Sequence, residues 1–190
     1  NGEVTVTANS VNDKPLIGGI PVNPIDVDDN DDINPFENVT IEDIDFDDLL
    51  EATLNFIPSD AGVLSNLGSF VDDGNGNYQL LNASDDDIQS ILRAIVFEPA
   101  NNRYSNNQEV IFTLTITDAG GLEDSDSNTE VNIQPVNDAP SISGLIDITT
   151  PVFDNATDIF PFSNATITDV DEEGEQEITV TIQLNNSDNG

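Results

Sequence analysis

The chain has no cysteine, no histidine and no tryptophan, and its lysines and arginines together number 3. Each absence removes a class of function. Without cysteine there is no disulfide, no zinc–thiolate site and no thiol chemistry. Disulfide-free extracellular chains are common, so this absence does not argue for the cytosol. Without histidine, the commonest general base and the commonest transition-metal ligand are missing. So few cations exclude nucleic acid as a natural partner, because a phosphate backbone needs lysine and arginine. Anionic membrane surfaces are disfavoured for the same reason. No apolar run approaches the roughly 20 residues needed to span a bilayer, so membrane insertion is not expected. No signal peptide is visible. Asn1-Gly2 reads as an internal start, with export signals expected upstream.

The same absences argue against an enzyme. No nucleophile–base constellation appears, and without His or Cys a catalytic site would rest on carboxylate pairs, as in glycosidases. Such pairs are abundant here by composition alone and carry no information. There is no glycine-rich phosphate loop, and two tyrosines make a poor aromatic platform for sugars.

What is present is acid. Aspartate and glutamate number 38, giving a formal net charge of -35. Hydrophobic residues still make up 36% of the chain, which is enough apolar surface to fill small cores and argues against disorder. A compact module with this charge repels itself, and monovalent salt screens only part of that repulsion over a Debye length of about 8 Å. Bound divalent cations are the simplest physical remedy.

An internal repeat sets the frame. Val11-Asn12-Asp13-Lys14-Pro15 returns 125 positions later as Val136-Asn137-Asp138-Ala139-Pro140. Pro35-Phe36-Glu37-Asn38-Val39-Thr40-Ile41-Glu42-Asp43-Ile44-Asp45 returns 126 positions later as Pro161-Phe162-Ser163-Asn164-Ala165-Thr166-Ile167-Thr168-Asp169-Val170-Asp171. Two blocks in the same order and spacing predict tandem modules. Residues 1–13 are then the last strand and linker of a preceding module, with Val4 and Val6 alternating with Thr5 and Thr7. Residues 14–138 form one complete module. Residues 139–190 open the next, where 177–184 alternate apolar and polar.

Period-2 alternation dominates the complete module. Leu50, Ala52, Leu54 and Phe56 form one apolar face. Val110, Phe112, Leu114 and Ile116 form another, and Val131 and Ile133 continue the pattern. Asp72-Asp73-Gly74-Asn75-Gly76-Asn77 is a turn signal, because Gly and Asn tolerate positive φ. Short strands with turns between them predict an all-β, antiparallel Greek-key sandwich. One short helix is expected. Ser84 offers an N-cap before Asp85, Asp86 and Asp87, and Ile88, Ile91, Leu92 and Ile95 follow at helical spacing, with an end near Ala94.

The acids cluster near predicted loops and linkers: residues 26–32, 43–48, 118–126 and 169–175. Calcium takes six to eight oxygen ligands from carboxylates, amide side chains and backbone carbonyls. One acidic loop usually serves only to solvate a surface. Here the acids recur at equivalent repeat positions beside the linker, which favours calcium.

These motifs together resemble the cadherin-like repeats of bacterial adhesins. Pro35-Phe36-Glu37-Asn38 is similar to the early Pro-Glu-Asn motif, and Asp43-Ile44-Asp45 to the Asp-x-Asp motif. Thr117-Asp118-Ala119-Gly120-Gly121 resembles the late Asp-Gly motif, and Val136-Asn137-Asp138-Ala139-Pro140 the linker that ends a module. The resemblance implies a cadherin/immunoglobulin-like sandwich in a tandem array, with calcium at each junction. It assigns the first junction to Asn12, Asp13, Asp43, Asp45 and Asp118. It assigns the second to Glu37 and Glu98, to Asn137 and Asp138 of the linker, and to Asp169 and Asp171. Three departures thin that ligand set: Pro135 stands where the fuller linker motif has an Asp, Ala139 where it has a second Asn, and Ser163 in place of the early Glu.

A separate candidate is Asp26-Val27-Asp28-Asp29-Asn30-Asp31, with Glu37 further on. Asp26, Asp28, Asn30 and Glu37 fall where an EF-hand-like loop places oxygens. The required glycine is replaced by Asp31, and Pro35 interrupts the loop, so a true EF-hand is not expected. Calcium binding by the loop stays open. Five Asn-x-Ser/Thr matches begin at Asn38, Asn82, Asn155, Asn164 and Asn185. In a chain this rich in Asn, Ser and Thr, such matches arise by chance.

The function expected is a calcium-stabilised structural spacer of a secreted or cell-surface bacterial adhesin. Its first partners would be the neighbouring modules of the same protein. Two alternatives stand beside it: a subunit of an extracellular filament in which identical chains complement one another's strands, and a calcium-dependent module that binds a glycan or a protein.

Overall fold

A computed structural model describes residues 4, 11–45, 49–101, 106–146, 158, 160–171 and 178–183. The chain divides into two compact units, Asn1–Val136 and Asn137–Gly190.

The first unit is an all-β sandwich with one helix. Its strands are β1 (Leu16–Gly18), β2 (Ile25–Asp28), β3 (Thr40–Glu42), β4 (Leu50–Ile57), β5 (Gly62–Ser65), β6 (Val71–Asp72), β7 (Asn77–Ala83), β8 (Val96–Pro99), β9 (Gln108–Thr117) and β10 (Glu123–Gln134). The main sheet has the order β2-β10-β9-β4-β7-β6, and the pairs β1-β3 and β5-β8 stand apart from it. The alternation in the sequence sets which face is inward. Leu50, Ala52, Leu54 and Phe56 of β4 are buried, as are Val110, Phe112, Leu114 and Ile116 of β9 and Val131 and Ile133 of β10. Phe112 lies at the centre of the core. Its ring centroid is 5.6 Å from Phe36, 5.3 Å from Phe56 and 5.3 Å from Phe97. Phe97 comes from β8, so these rings tie the small β5-β8 pair to the main sheet.

One pairing departs from the antiparallel expectation. β2 runs parallel to β10, with Ile25 opposite Val131 and Asp28 opposite Gln134. The sequence between β1 and β2 allows it: Gly19 at φ +68° and Pro21 and Pro24 end one strand before the next begins. The opening segment can thus pair with β3 first and with β10 afterwards.

Helix α1 (Asp85–Leu92) forms where expected. Ser84 Oγ accepts the Asp87 N–H at 3.2 Å, which satisfies one of the open amides of the first turn. Ile88 and Leu92 face the core. The helix ends at Leu92 rather than near Ala94. There Ala94 N–H bonds Ile91 and Ile95 N–H bonds Leu92, a tighter turn that leads directly into β8. The turn at 72–77 joins β6 to β7, with Gly74 and Gly76 at φ +80° and +81°. Asp73 braces it: Oδ1 accepts the Asn75 N–H at 2.8 Å, and Oδ2 accepts the Asn77 side-chain amide at 3.0 Å.

In the second unit, β11 (Ser141–Ser143) pairs antiparallel with β12 (Thr166–Thr168). The strand expected over 177–184 is not formed at its described residues, 178–183, which carry no strand pairing. The strand expected over 1–13 falls mostly outside the described residues; Val4 and residues 11–13 are exposed.

Candidate metal centre

The linker motif and the Asp-x-Asp motif meet through backbone hydrogen bonds. β3 ends at Glu42 and delivers Asp43 at once. Asp43 Oδ1 then accepts the N–H of Asp45 at 2.9 Å, the local turn that short acidic side chains favour. Asp45 Oδ2 in turn accepts the N–H of Asp13 at 2.7 Å. The pairing of β1 with β3, Leu16 opposite Glu42, places Asp13 against this turn.

The second unit repeats the arrangement. Asp171 N–H donates to Asp169 Oδ1 at 3.3 Å, and Asp138 N–H donates to Asp171 Oδ2 at 2.6 Å. Ser141 lies opposite Thr168 as Leu16 lies opposite Glu42. Gly144 at φ +70° repeats Gly19, and a Cβ on either glycine would strike a backbone carbonyl, that of Asn164 or Asn38. The Val39 N–H to Phe36 carbonyl bond of 3.1 Å returns as Ala165 to Phe162 at 3.0 Å. The repeat in the sequence is thus a repeat of conformation around the acids.

A cleft of about 620 Å³ opens beside the first clamp. It is lined by Asp13, Lys14, Leu16, Glu42, Asp43, Ile44 and Asp85. Glu42 and Asp85 were not among the residues expected there. Asp85 arrives because the helix N-terminus, which carries three aspartates, packs near β3.

Asn12, next to Asp13 in the chain, meets Asp118. Asn12 Nδ2 donates to Asp118 Oδ2 at 2.8 Å. Asp118 Oδ1 accepts the Leu122 N–H at 2.8 Å and closes the turn between β9 and β10. Asn12 lies against Gly120, where a Cβ would come within 2.7 Å of its side chain. Burial pushes the Asp118 carboxyl up. Hydrogen bonds from Leu122, the Asn12 side chain, Gly120 and Gly121 outweigh that and hold it below the usual aspartate value of 3.8.

The remaining candidates are dispersed. In the first unit Glu37 is exposed and accepts the side-chain amide of Asn38 at 3.0 Å, and Glu98 sits half-buried in β8 opposite Val63. In the second unit the Asn137 side chain bonds the carbonyl of Asp138 at 3.0 Å, and Asp169 is buried. The loop expected at 26–31 takes a different form. Asp26 and Asp28 are exposed positions of β2 on either side of the buried Val27, and Asp26 accepts the Asn132 side-chain amide at 2.9 Å. They are ladder residues of a strand, because parallel pairing with β10 extends the backbone there. Asn30 is exposed in the turn that follows. Residues 46–48 and 172–175 of the acidic clusters lie outside the described residues.

Among the described residues, no three carboxylates already converge as a metal-binding group. The donor set nonetheless suits one kind of ion. It is all oxygen, which suits a hard cation such as calcium, magnesium or manganese rather than a softer ion such as zinc or copper. A carboxylate has about four lone-pair positions, and the amide bonds to Asp43 and Asp45 fix how each group points.

Two acids gained roles that the sequence did not reveal. Asp29 is buried, and its Oδ1 accepts the Val136 N–H at 3.1 Å, which holds the last residue of the first unit. It looks like its neighbours in a run of acids. Asp124 accepts the Lys14 ammonium at 2.7 Å and the Ile17 N–H at 2.9 Å. Lys14, then the Ile17 amide, hold its carboxyl below 3.8. The scarcity of cations was a usable signal there: a lone lysine beside the linker motif calls for a carboxylate partner.

No protein-family model matches the chain, and no curated protein matches it. Among the described residues, no helix is long and apolar enough to cross a membrane.

Proposed function

We propose that the chain is a calcium-stabilised structural spacer of a secreted or cell-surface bacterial adhesin, built of cadherin-like modules in tandem and without enzymatic activity. One observation carries this reading: the Asp13–Asp45–Asp43 clamp recurs as Asp138–Asp171–Asp169, with the same donors and acceptors in the same order. Conformation that repeats around charge, in a chain of net charge -35, fits a seam that gathers cations at regular intervals. Asp13, Asp43 and Asp45 would contribute to holding calcium at the first seam, and Asp138, Asp169 and Asp171 at the second. When bound, the ion supplies positive charge and joins linker to module. The protein's part is to orient the carboxylates by backbone amides before the ion arrives. Binding of this kind is linked to folding and stabilises the module by mass action. Thermal melting of the chain in excess calcium and in chelator tests it. A rise of the midpoint with calcium is expected; equal midpoints remove calcium from the account.

A further inference from the structure

The repeat extends beyond the acidic motifs, and there the two units differ. In the first unit Ala52, Leu54 and Phe56 line the inner face of β4 and are 0%, 0% and 2% exposed. The offset that relates Asp43 to Asp169 carries these three onto Ile178, Val180 and Ile182. Thr53 and Asn55 between them become Thr179 and Thr181, so the alternation is kept. Yet Ile178, Val180 and Ile182 are 40%, 56% and 64% exposed. Phe36 and Ile41, 1% and 3% exposed, likewise correspond to Phe162 and Ile167, at 50% and 39%.

The first unit shows which strand lies beside such a face. β9 pairs antiparallel with β4, setting Ile116 opposite Ala52, Leu114 opposite Leu54 and Phe112 opposite Phe56. Phe112 also meets Phe36 edge-on. One strand therefore extends the apolar face of β4 within the sheet and reaches Phe36 across the core. Among the described residues of the second unit, the strands are β11 and β12 alone.

We infer that the second unit is an acceptor for a β-strand of the β9 kind, which adds antiparallel along residues 178–182 and sets a large apolar side chain against Phe162. The strand is supplied by a further length of the repeat within one polypeptide. Two physical reasons select that source. A separate chain would bring its own net charge of -35 to the contact, and it would lose translational and rotational freedom that a tethered strand has already surrendered. The inference rests on the tandem-repeat part of the proposed function and not on calcium.

Hydrogen exchange tests it, with every sample in chelator. In the 190-residue chain the amides of 178–182 should exchange almost unprotected. In an extended chain, residues 1–183 followed by a second copy of residues 58–134, their protection should rise at least about a hundredfold, towards that of 52–56. Unchanged exchange in a folded extended chain overturns the inference. A second format covers misfolding of that chain: a peptide of residues 108–117 added to the 190-residue chain, beside a control peptide carrying Phe112→Asn and Leu114→Asn. Protection by the first peptide alone supports the inference, and equal or absent protection overturns it. Sedimentation velocity checks the source. Concentration-dependent association that protects 178–182 would assign the strand to a second chain and overturn the single-polypeptide source. A calcium-insensitive melting midpoint would sink the spacer reading and leave these outcomes untouched.

Discussion

Replacing Asp45 with asparagine separates the two roles of its carboxylate. Structurally, Oδ2 accepts the Asp13 N–H at 2.7 Å, while the backbone N–H of Asp45 bonds Asp43. Asparagine keeps that backbone bond and an oxygen for Asp13, and it loses the charge. In chelator, weakening one charge-assisted bond costs about 1 kcal/mol, and removing a like charge beside Asp43 offsets part of it. Alanine removes the acceptor as well and should cost about 1–2 kcal/mol. The calcium increment is the discriminating quantity. At a hundredfold excess over Kd, a bound ion contributes about 2.7 kcal/mol. With about 2.1 cal/mol/K of unfolding entropy per residue, the unit Asn1–Val136 has about 0.29 kcal/mol/K, so its Tm should rise by about 9 °C. Losing one charged ligand weakens affinity about tenfold. The rise for Asp45→Asn at the same calcium concentration then falls to about 5 °C. Differential scanning calorimetry of both proteins, with and without calcium, measures this. If Asp45→Asn keeps the full wild-type increment, Asp45 is a structural brace and not a ligand.

Other consequences follow from the core and the titrating groups. Thr129 is buried in β10 opposite Phe112, and its hydroxyl has no hydrogen-bond partner among the described residues. Thr129→Val should therefore stabilise the unit by about 1 kcal/mol, raising Tm by about 3 °C; a lower Tm refutes this. Phe112→Ala removes the ring that touches three others and should cost about 3–5 kcal/mol, read from urea midpoints. Asp124→Ala breaks the bonds to Lys14 and Ile17 and should cost about 1–2 kcal/mol in the same assay. Asp73, Asp118 and Asp124 all titrate below the usual 3.8 in the folded state. Their contribution is present above that value and is lost as pH falls through the folded values. Stability in chelator should thus drop below pH 3.8, and Asp124→Ala should show a shallower drop.

Alternating strands were the most legible part of the chain. The inward residues of β4, β9 and β10 could be read from period 2 because both faces of those strands differ in polarity. The helix was legible for the same reason, with Ser84 marking its start. The parallel pairing of β2 was not, because Ile25-Asp26-Val27-Asp28 reads equally as a loop of acids or as an edge strand. Proximity to β10 decides between them. The clamp was legible only as residue types. Asp13, Asp43 and Asp45 were marked by the repeat, but the amide donors that join them belong to the backbone and leave no trace in side-chain identity. Asp29 was hidden by its neighbours, since burial and not composition distinguishes it from Asp28.

Of the chain's 3 cationic side chains, Lys14 and Arg93 lie among the described residues. Lys14 lines the cleft beside Asp13 and Asp43, yet its ammonium bonds Asp124. Arg93 is directed at the carbonyl of Val39, at 2.8 Å, where it secures the segment that leads into β3. The backbone amides of Asp13, Asp45, Leu122, Val136, Asp138 and Asp171 each donate to an aspartate. An amide dipole orients a carboxylate without cancelling its charge. These bonds hold acids in fixed positions in a chain of net charge -35, and a divalent cation bound among them would relieve the repulsion more effectively than diffuse salt. Sodium chloride at high concentration should accordingly recover only part of the stability that millimolar calcium provides, and a full recovery by sodium alone would mean that screening, not site binding, is what these acids require.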